Sequence, residues 1–505
     1  MRLIPAFQQV YPQFIHRNSV AIRGLATPSL DKYFLILLNG KPMRDPIFYG
    51  VNAPLYEGIP LELIDRLEII RGPGSALYGS NAFLGVINII TRSGSNEFDA
   101  KLDSLGKKHT NLLYNHAFDS DHSLDLYVAL SEQTGENYLI ADIYGRVDAT
   151  KDPIKGSDFY VKYRHDNWLL TGRHMQRDLE DFLPFGGHSN GISREKTQQL
   201  SYAAEYSNKF NNDLNYKLRM SHSKDEWDTL ALLISTEVEV APGFSLDENF
   251  IGGPILDSQT TKISVDANYE TKGDHQLFFG SSIETAKITD VKTATTHDLS
   301  TLEYLGELIY LEDELSFNDK EERNIKSIYF QDQYNLTDSI QVTAGFRYDH
   351  YDDFGNSTNP RLAIIWKKNE TSSVKVLYGS AFRAPNFLEL YDRNNIVDFG
   401  NFALNPEKVK TIELAWIHHS DKWKFEITGF SNEFDDLIVL GAPVSDPNNP
   451  LNAPAFTNRS GHRTEGIEVQ FQRQITEDLT LKMSWNWFTP NSAIDVSRNM
   501  AALIV

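Results

Sequence analysis

The chain has no cysteine among its 505 residues, which excludes disulfides, thiolate zinc sites, iron–sulfur clusters and cysteine nucleophiles. It has no run of eighteen or more apolar residues, so no helix spans a bilayer. Basic residues are scarce: 48 Lys and Arg stand against 69 Asp and Glu, a formal net charge of −21. Nucleic acid is therefore not an expected partner, because phosphate binding needs a concentrated cationic face. The opening Met-Arg-Leu-Ile-Pro-Ala-Phe lacks the apolar core of a signal peptide. Either the protein is cytoplasmic or its beginning is missing. There is no Gly-x-Ser-x-Gly elbow and no His-Glu-x-x-His pair, and neither an enzyme nor a cofactor is expected. Aromatics, by contrast, are plentiful, at 12% with 23 Tyr and 29 Phe. A membrane β-barrel reconciles these facts, because its apolar residues alternate with polar ones and never form a run.

Two textures divide the chain. Up to Gly94 it is dense in Gly, Pro and Ile, with short apolar runs such as Tyr33 to Leu38 and Gly85 to Ile90. These read as short buried strands, with Asn39-Gly40 a hairpin turn and Ile59 to Ile70 a short helix passing into a strand. Gly72, Gly74 and Gly79 suit tight turns with positive φ. From Phe98 onward period-two alternation takes over, as in Ile340, Val342, Ala344, Phe346 and Tyr348, or Trp423, Phe425 and Ile427. About 17 such strands are visible. Short connections (165–167, 272–274, 336–338, 420–421) alternate with long polar ones (133–156, 177–198, 225–260, 287–323, 383–409, 435–462). An outer-membrane barrel has this asymmetry, with short periplasmic turns and long extracellular loops. The acidic stretch from Lys287 to Arg323, ten acids against four bases, reads as a solvated loop face, with divalent cation capture or ligand selection as the functional alternatives.

Several stretches carry a family resemblance. Ala21-Ile22-Arg23-Gly24, Leu35 to Met43 (LILLNGKPM) and Ile64 to Thr91 (IDRLEIIRGPGSALYGSNAFLGVINIIT) resemble the plug domain of TonB-dependent outer-membrane receptors. Tyr329 to Tyr334 (YFQDQY), Ala344 to Tyr348 (AGFRY), Ser380 to Tyr391 (SAFRAPNFLELY), Asn405 to Leu414 (NPEKVKTIEL) and, more weakly, Thr464 to Val469 (TEGIEV) resemble its barrel. The resemblance implies an all-β membrane fold: a large antiparallel transmembrane barrel of about 22 strands, with a small α+β plug in its lumen. Residues 1–94 are then the C-terminal portion of the plug and 95–505 a barrel lacking its last strands, the chain being truncated at both ends. It further implies active import of a scarce nutrient, most often a ferric siderophore, across the outer membrane of a Gram-negative cell. The implied partners are outer-membrane lipid and a TonB-type energy-coupling protein of the inner membrane. Cobalamin, haem and oligosaccharide remain open as ligands, as do two rivals: a passive porin or adhesin barrel, and a soluble carbohydrate-binding protein. Haem-type receptors place a histidine between the Phe-Arg-Ala-Pro and Asn-Pro segments, and Phe382 to Pro406 contains none; His16 is the residual candidate. No metal site is expected, since His418-His419 points its two rings to opposite faces of a strand.

Two sets of site residues follow. Arg44, Asp45, Phe48 and Tyr49 combine a cation, a carboxylate and two aromatics after the hairpin, which suits a ligand site. Arg23 and Arg71 sit in the two plug motifs that, in the family resembled, meet glutamates on the inner barrel wall. Strand phase supplies the partners independently: with Ile412, Leu414 and Trp416 facing lipid, Glu413 faces the lumen, and with Ile467, Val469 and Phe471 outward, so does Glu468. Trp168, Trp366, Trp416, Trp423, Trp485 and Trp487 should edge the lipid-facing band, where indole rings favour the headgroup level.

Overall fold

The structure, a computed structural model, describes residues 7–10, 19–23, 25, 32–45, 47, 59–104, 106–135, 137–141, 145–151, 153–180, 191–241, 244–395, 398–447, 449, 452–489 and 499–504. A small sheet sits inside a large one. The inner sheet has the order Lys41–Pro42, Phe34–Leu38, Gly85–Thr91, Ile64–Arg71. Its two central strands run parallel, and Phe34 to Leu37 are buried on both faces. A two-sided burial of this kind explains why these strands are continuous apolar runs rather than alternating ones. Asn39 and Gly40 both take positive φ, 50° and 78°, the signature of the two-residue hairpin turn that twists with its strands. The Asn39 side chain then donates to Tyr160 of the wall at 2.8 Å and to Thr91 at 2.9 Å. The expected helix before Ile64 is a single 3-10 turn, Leu61–Leu63, leading directly into the strand Ile64–Arg71.

The outer sheet closes on itself as an antiparallel barrel. Among the described residues it has 18 wall strands, one more than the seventeen read from alternation. The additional one is Asn499–Ile504, paired with Thr480–Phe488. Its sequence, Asn-Met-Ala-Ala-Leu-Ile, has no polar alternation to reveal a strand. A further strand, Tyr304–Glu312, pairs with the outer end of His275–His297. The wall follows the expected phase. In Glu407–His419, Val409, Thr411, Glu413 and Ala415 are buried while Lys408, Lys410, Ile412, Leu414 and Trp416 are exposed. All six tryptophans named for the lipid band are exposed, whereas Trp227 is buried.

Three features differ from the reading of the sequence. Segments 225–260 and 287–323 are not loops throughout: the strands Leu214–Ile234, Phe250–Glu270 and His275–His297 run on for 21 to 23 residues. Hydrogen bonding continues after the outward residues turn from Leu218 and Met220 to Lys224, Glu226 and Asp228, so this upper portion rises past the apolar band. Gly74 has φ −110°, not a positive value; a Cβ there would meet Val86 Cγ2 at 2.8 Å, so close packing is what requires glycine. The inner wall is also not uniformly polar. Leu113, Tyr127, Met175, Val409 and Phe434 join Phe34, Ile36, Phe83 and Ile87 of the inner sheet in one core, because they face a protein rather than a water-filled lumen.

Candidate functional site

The inner sheet is fastened to the wall by a buried cluster of ion pairs. Arg23 follows the strand Ser19–Ile22 and is turned into the wall by a left-handed backbone, φ 51°. Its Nη1 lies 2.6 Å from Glu413 Oε1 and its Nε 2.7 Å from Glu468 Oε1. The guanidinium also stacks over Phe430, 4.3 Å from the ring centroid. Arg71, at the end of Ile64–Arg71, donates to Glu468 Oε2 at 3.3 Å and to Glu426 Oε1. Glu468 thus receives both arginines, one on each oxygen. Burial alone would disfavour the Arg23 charge, but the adjacent Glu413 and Glu468 carboxylates more than reverse this and raise its pKa. Gly72 completes the fit: its φ is 80°, and a Cβ there would stand 2.6 Å from Glu413 Oε1. The structure therefore brings Arg23, Arg71, Glu413 and Glu468 together. It adds Glu426, whose inward direction was readable from the outward Phe425 and Ile427.

A second network lies toward the long-loop end of the wall. Asn386 caps the short helix Phe387–Tyr391, accepting from Glu389 N at 2.7 Å while Glu389 Oε2 accepts from Asn386 N at 3.0 Å. The same Glu389 carboxylate takes Arg383 Nη1 at 2.8 Å and Lys32 Nζ, from the plug side, at 2.7 Å. Arg383 also binds Glu407, whose Oε1 accepts from Ile438 N at 2.6 Å and from Tyr33 OH at 3.5 Å. Burial pushes the Glu389 pKa up, yet Arg383 and Lys32 overcome it and bring it down to about 2. Leu388 N reaches Ile47 O at 3.4 Å, and Phe387 packs with Ile47. The helix therefore touches the segment proposed from sequence as ligand-facing. Lys32, Arg383, Glu389 and Glu407 were not identified as site residues from the sequence.

The other predicted residues are placed differently from one another. Arg44 donates to Ser80 O at 2.9 Å and lies 3.5 Å from Glu284 Oε1. Asp45 is 2% exposed, and its Oδ1 accepts from Ile47 N at 2.9 Å. Both are turned into the interface with the wall. Phe48, Tyr49 and His16 lie outside the described residues. His418 bonds Ser372 at 2.6 Å and stacks near Trp423. Among the described residues no group of three or more His, Asp or Glu is arranged to hold a metal ion.

Comparison with known proteins places this geometry. Residues 142–502 match the family model "TonB dependent receptor-like, beta-barrel" and residues 1–86 match "TonB-dependent Receptor Plug Domain". The chain is 24% identical over 493 residues to an iron-regulated outer membrane virulence protein of Vibrio cholerae, covering 93% of this chain and 69% of the relative. It is 24% identical over 482 residues to the vitamin B12 transporter BtuB of Photobacterium profundum, with the same coverage of each. Among solved structures it resembles a single-site mutant of the ferric enterobactin receptor PfeA of Pseudomonas aeruginosa, with a TM-score of 0.70 at 17% identity, covering 96% of this chain and 76% of that one. The last likeness is one of fold.

Proposed function

The chain belongs to the TonB-dependent receptor family, and on that footing we propose that it is an outer-membrane importer of a ferric siderophore, energised by a TonB-type partner. The observation that carries this reading is the plug fastened inside the closed barrel by the Arg23 and Arg71 pairs with Glu413, Glu426 and Glu468. A passive pore has no use for a buried ion-pair seat across its lumen. Removing one partner of a buried pair costs on the order of 3–5 kcal/mol, so spontaneous unseating is rarer by roughly two to four powers of ten. The outer membrane has no energy source of its own, and release of such a seat calls for a pull transmitted from elsewhere.

In this reading, ligand arrives from the long-loop side and meets the plug segment 43–49. Arg44 and Asp45 lie at its start, and Phe48 and Tyr49 are the aromatic residues proposed, by their chemistry alone, to meet the ligand. The helix Phe387–Tyr391 packs on Ile47 and shares Glu389 with Lys32, so a ligand that presses on the segment also presses on the upper ion-pair network. The siderophore reading draws on the iron-regulated relative and the enterobactin receptor fold. Cobalamin is the second reading, because the B12 transporter is equally similar in sequence.

Binding separates the two. Purified protein in detergent is titrated with ferric enterobactin and, separately, with cyanocobalamin, and tryptophan quenching is followed. Saturable quenching by the ferric complex alone supports the first reading; saturation by cyanocobalamin alone replaces it with the second.

A further inference from the structure

The glutamates that hold the plug differ from the rest of the inner wall in what balances them. Elsewhere inward cations are paired within the wall, as Arg173 with Asp158, Arg219 with Glu205, Lys262 with Glu284 and Arg347 with Asp349. Among the described residues Glu413 and Glu468 pair only with Arg23 and Arg71 of the plug. Glu426 pairs with Arg71 and has Lys424 farther off, at 3.9 Å. Withdrawal of the plug therefore strips these carboxylates of the cations that hold them, which is costly for a buried charge.

Lys375 stands beside them on the strand Ser372–Arg383. Leu377 and Gly379 of that strand are buried while Val376 and Tyr378 are exposed, so the half-buried Lys375 shares the inward face. Pairing sets Lys375 directly opposite Ala415, and Glu413 opposite Leu377. Lys375 and Glu413 are thus diagonal neighbours on adjacent strands, about 7–8 Å apart, a span that a long side chain crosses. The same row continues through Ala415 and Thr428 to Glu468. Yet among the described residues no carboxylate lies within ion-pair distance of Lys375. The plug keeps the two apart. Arg23 Nη1 lies 2.6 Å from Glu413 Oε1, and Gly72 covers the same carboxylate: a Cβ there would stand 2.6 Å from Oε1 and 3.9 Å from Oε2. Arg361, the neighbouring inward cation, stands opposite Gly379 and is one strand farther from Glu413.

We propose that Lys375 is a standby counter-ion of the plug seat: as Arg23 withdraws, the Lys375 ammonium swings to Glu413 and holds it until the plug returns. A lysine suits the role. Its flexible stem lets the charge move, and it serves one carboxylate at a time. The returning Arg23 displaces it, because one planar fork engages Glu413 and Glu468 together. The exchange spares the open wall a bare carboxylate, and so lowers the free energy of opening without loosening the closed seat. The inference rests on the seat alone and is independent of the ligand carried and of the coupling partner.

Proteolysis of the plug in the detergent-solubilised protein tests it, since cleavage reads the opening equilibrium when reclosing is faster. Lys375→Gln removes a cation beside the seat glutamates, yet it should slow cleavage, because only the open state loses a partner. A half-exposed ion pair is worth roughly a fivefold change in rate. Lys375→Arg should stay close to wild type. An unchanged rate in Lys375→Gln overturns the proposal, and so does a faster one, which would put Lys375 in the closed seat. A second measurement leaves Lys375 intact. A carbodiimide joins a carboxylate to an amine in contact with it, and peptide mass spectrometry reads the product. The Lys375–Glu413 amide is expected in Arg23→Ala, with little of it in wild type. Its absence from Arg23→Ala, or an equal yield in both proteins, overturns the exchange.

Discussion

Glu468 and Arg23 are 445 positions apart in the chain and 2.7 Å apart in space. The other oxygen of the same carboxylate takes Arg71 at 3.3 Å. One wall glutamate therefore ties two separate plug motifs together, and both are held by the planar fork of a guanidinium, which suits carboxylate geometry.

Glu468→Gln should unseat the plug more than its size suggests, because two guanidiniums, the buried Arg23 and the half-buried Arg71, lose a charged partner. We expect a loss of about 3–5 kcal/mol in plug retention, read as faster proteolysis of the plug with the barrel still resistant. Arg23→Lys should recover only part of the loss of Arg23→Ala, since an ammonium cannot serve Glu413 and Glu468 with the same fork.

Gly72→Ala should mimic that phenotype without altering charge. The new Cβ falls on Glu413 Oε1 and the backbone has φ 80°, so the substitution both strains the turn and displaces the carboxylate. A cost of at least about 1 kcal/mol is expected. Proteolysis rates equal to wild type would show that Glu413 moves freely and is not part of the seat.

Acid should weaken the upper network before the wall. The Glu389 pKa is depressed to about 2, so its contribution is present above the unfolded carboxylate value of about 4.3 and is lost as pH falls toward about 2. The stake is on the order of 3 kcal/mol. Exchange in the helix Phe387–Tyr391, followed from about pH 6 downward, should accelerate below about pH 4 in wild type. Glu389→Gln should be loose at all pH values, with that acid step gone.

On the outer face, Ile412 is 59% exposed in the middle of its strand. Ile412→Arg should destabilise the barrel in lipid vesicles by ~2–4 kcal/mol, measured by denaturant unfolding. Lys410→Arg, two residues farther toward the loops, should be neutral.

How much of this was readable from sequence depended on the length of the pattern behind each residue. Glu413 lies within a clean run of alternation and its inward direction followed from Ile412 and Leu414. Glu426 was equally readable from Phe425 and Ile427. Arg383 and Glu407 were not, because the alternation in the sequence stops at Phe382 and restarts at Lys410; both lie on strand ends that pairing carries beyond the apolar band. Lys32 has no periodic context, and only the fold reveals its contact with Glu389. Arg44 and Asp45 have the composition of a ligand segment, but nothing local to them shows that Arg44 reaches Ser80 and Glu284 or that Asp45 accepts from Ile47 N. Asn499–Ile504 is paired by its neighbour rather than marked by its own residues.

Energised import through a plugged barrel is tested most directly by uptake. Iron delivered as ferric enterobactin is measured in host cells lacking their own enterobactin receptor, with the coupling protein TonB present or deleted. Accumulation that requires both this protein and TonB is the predicted result. Accumulation of the complex at the same rate without TonB would contradict energised import, because a seated plug does not leak.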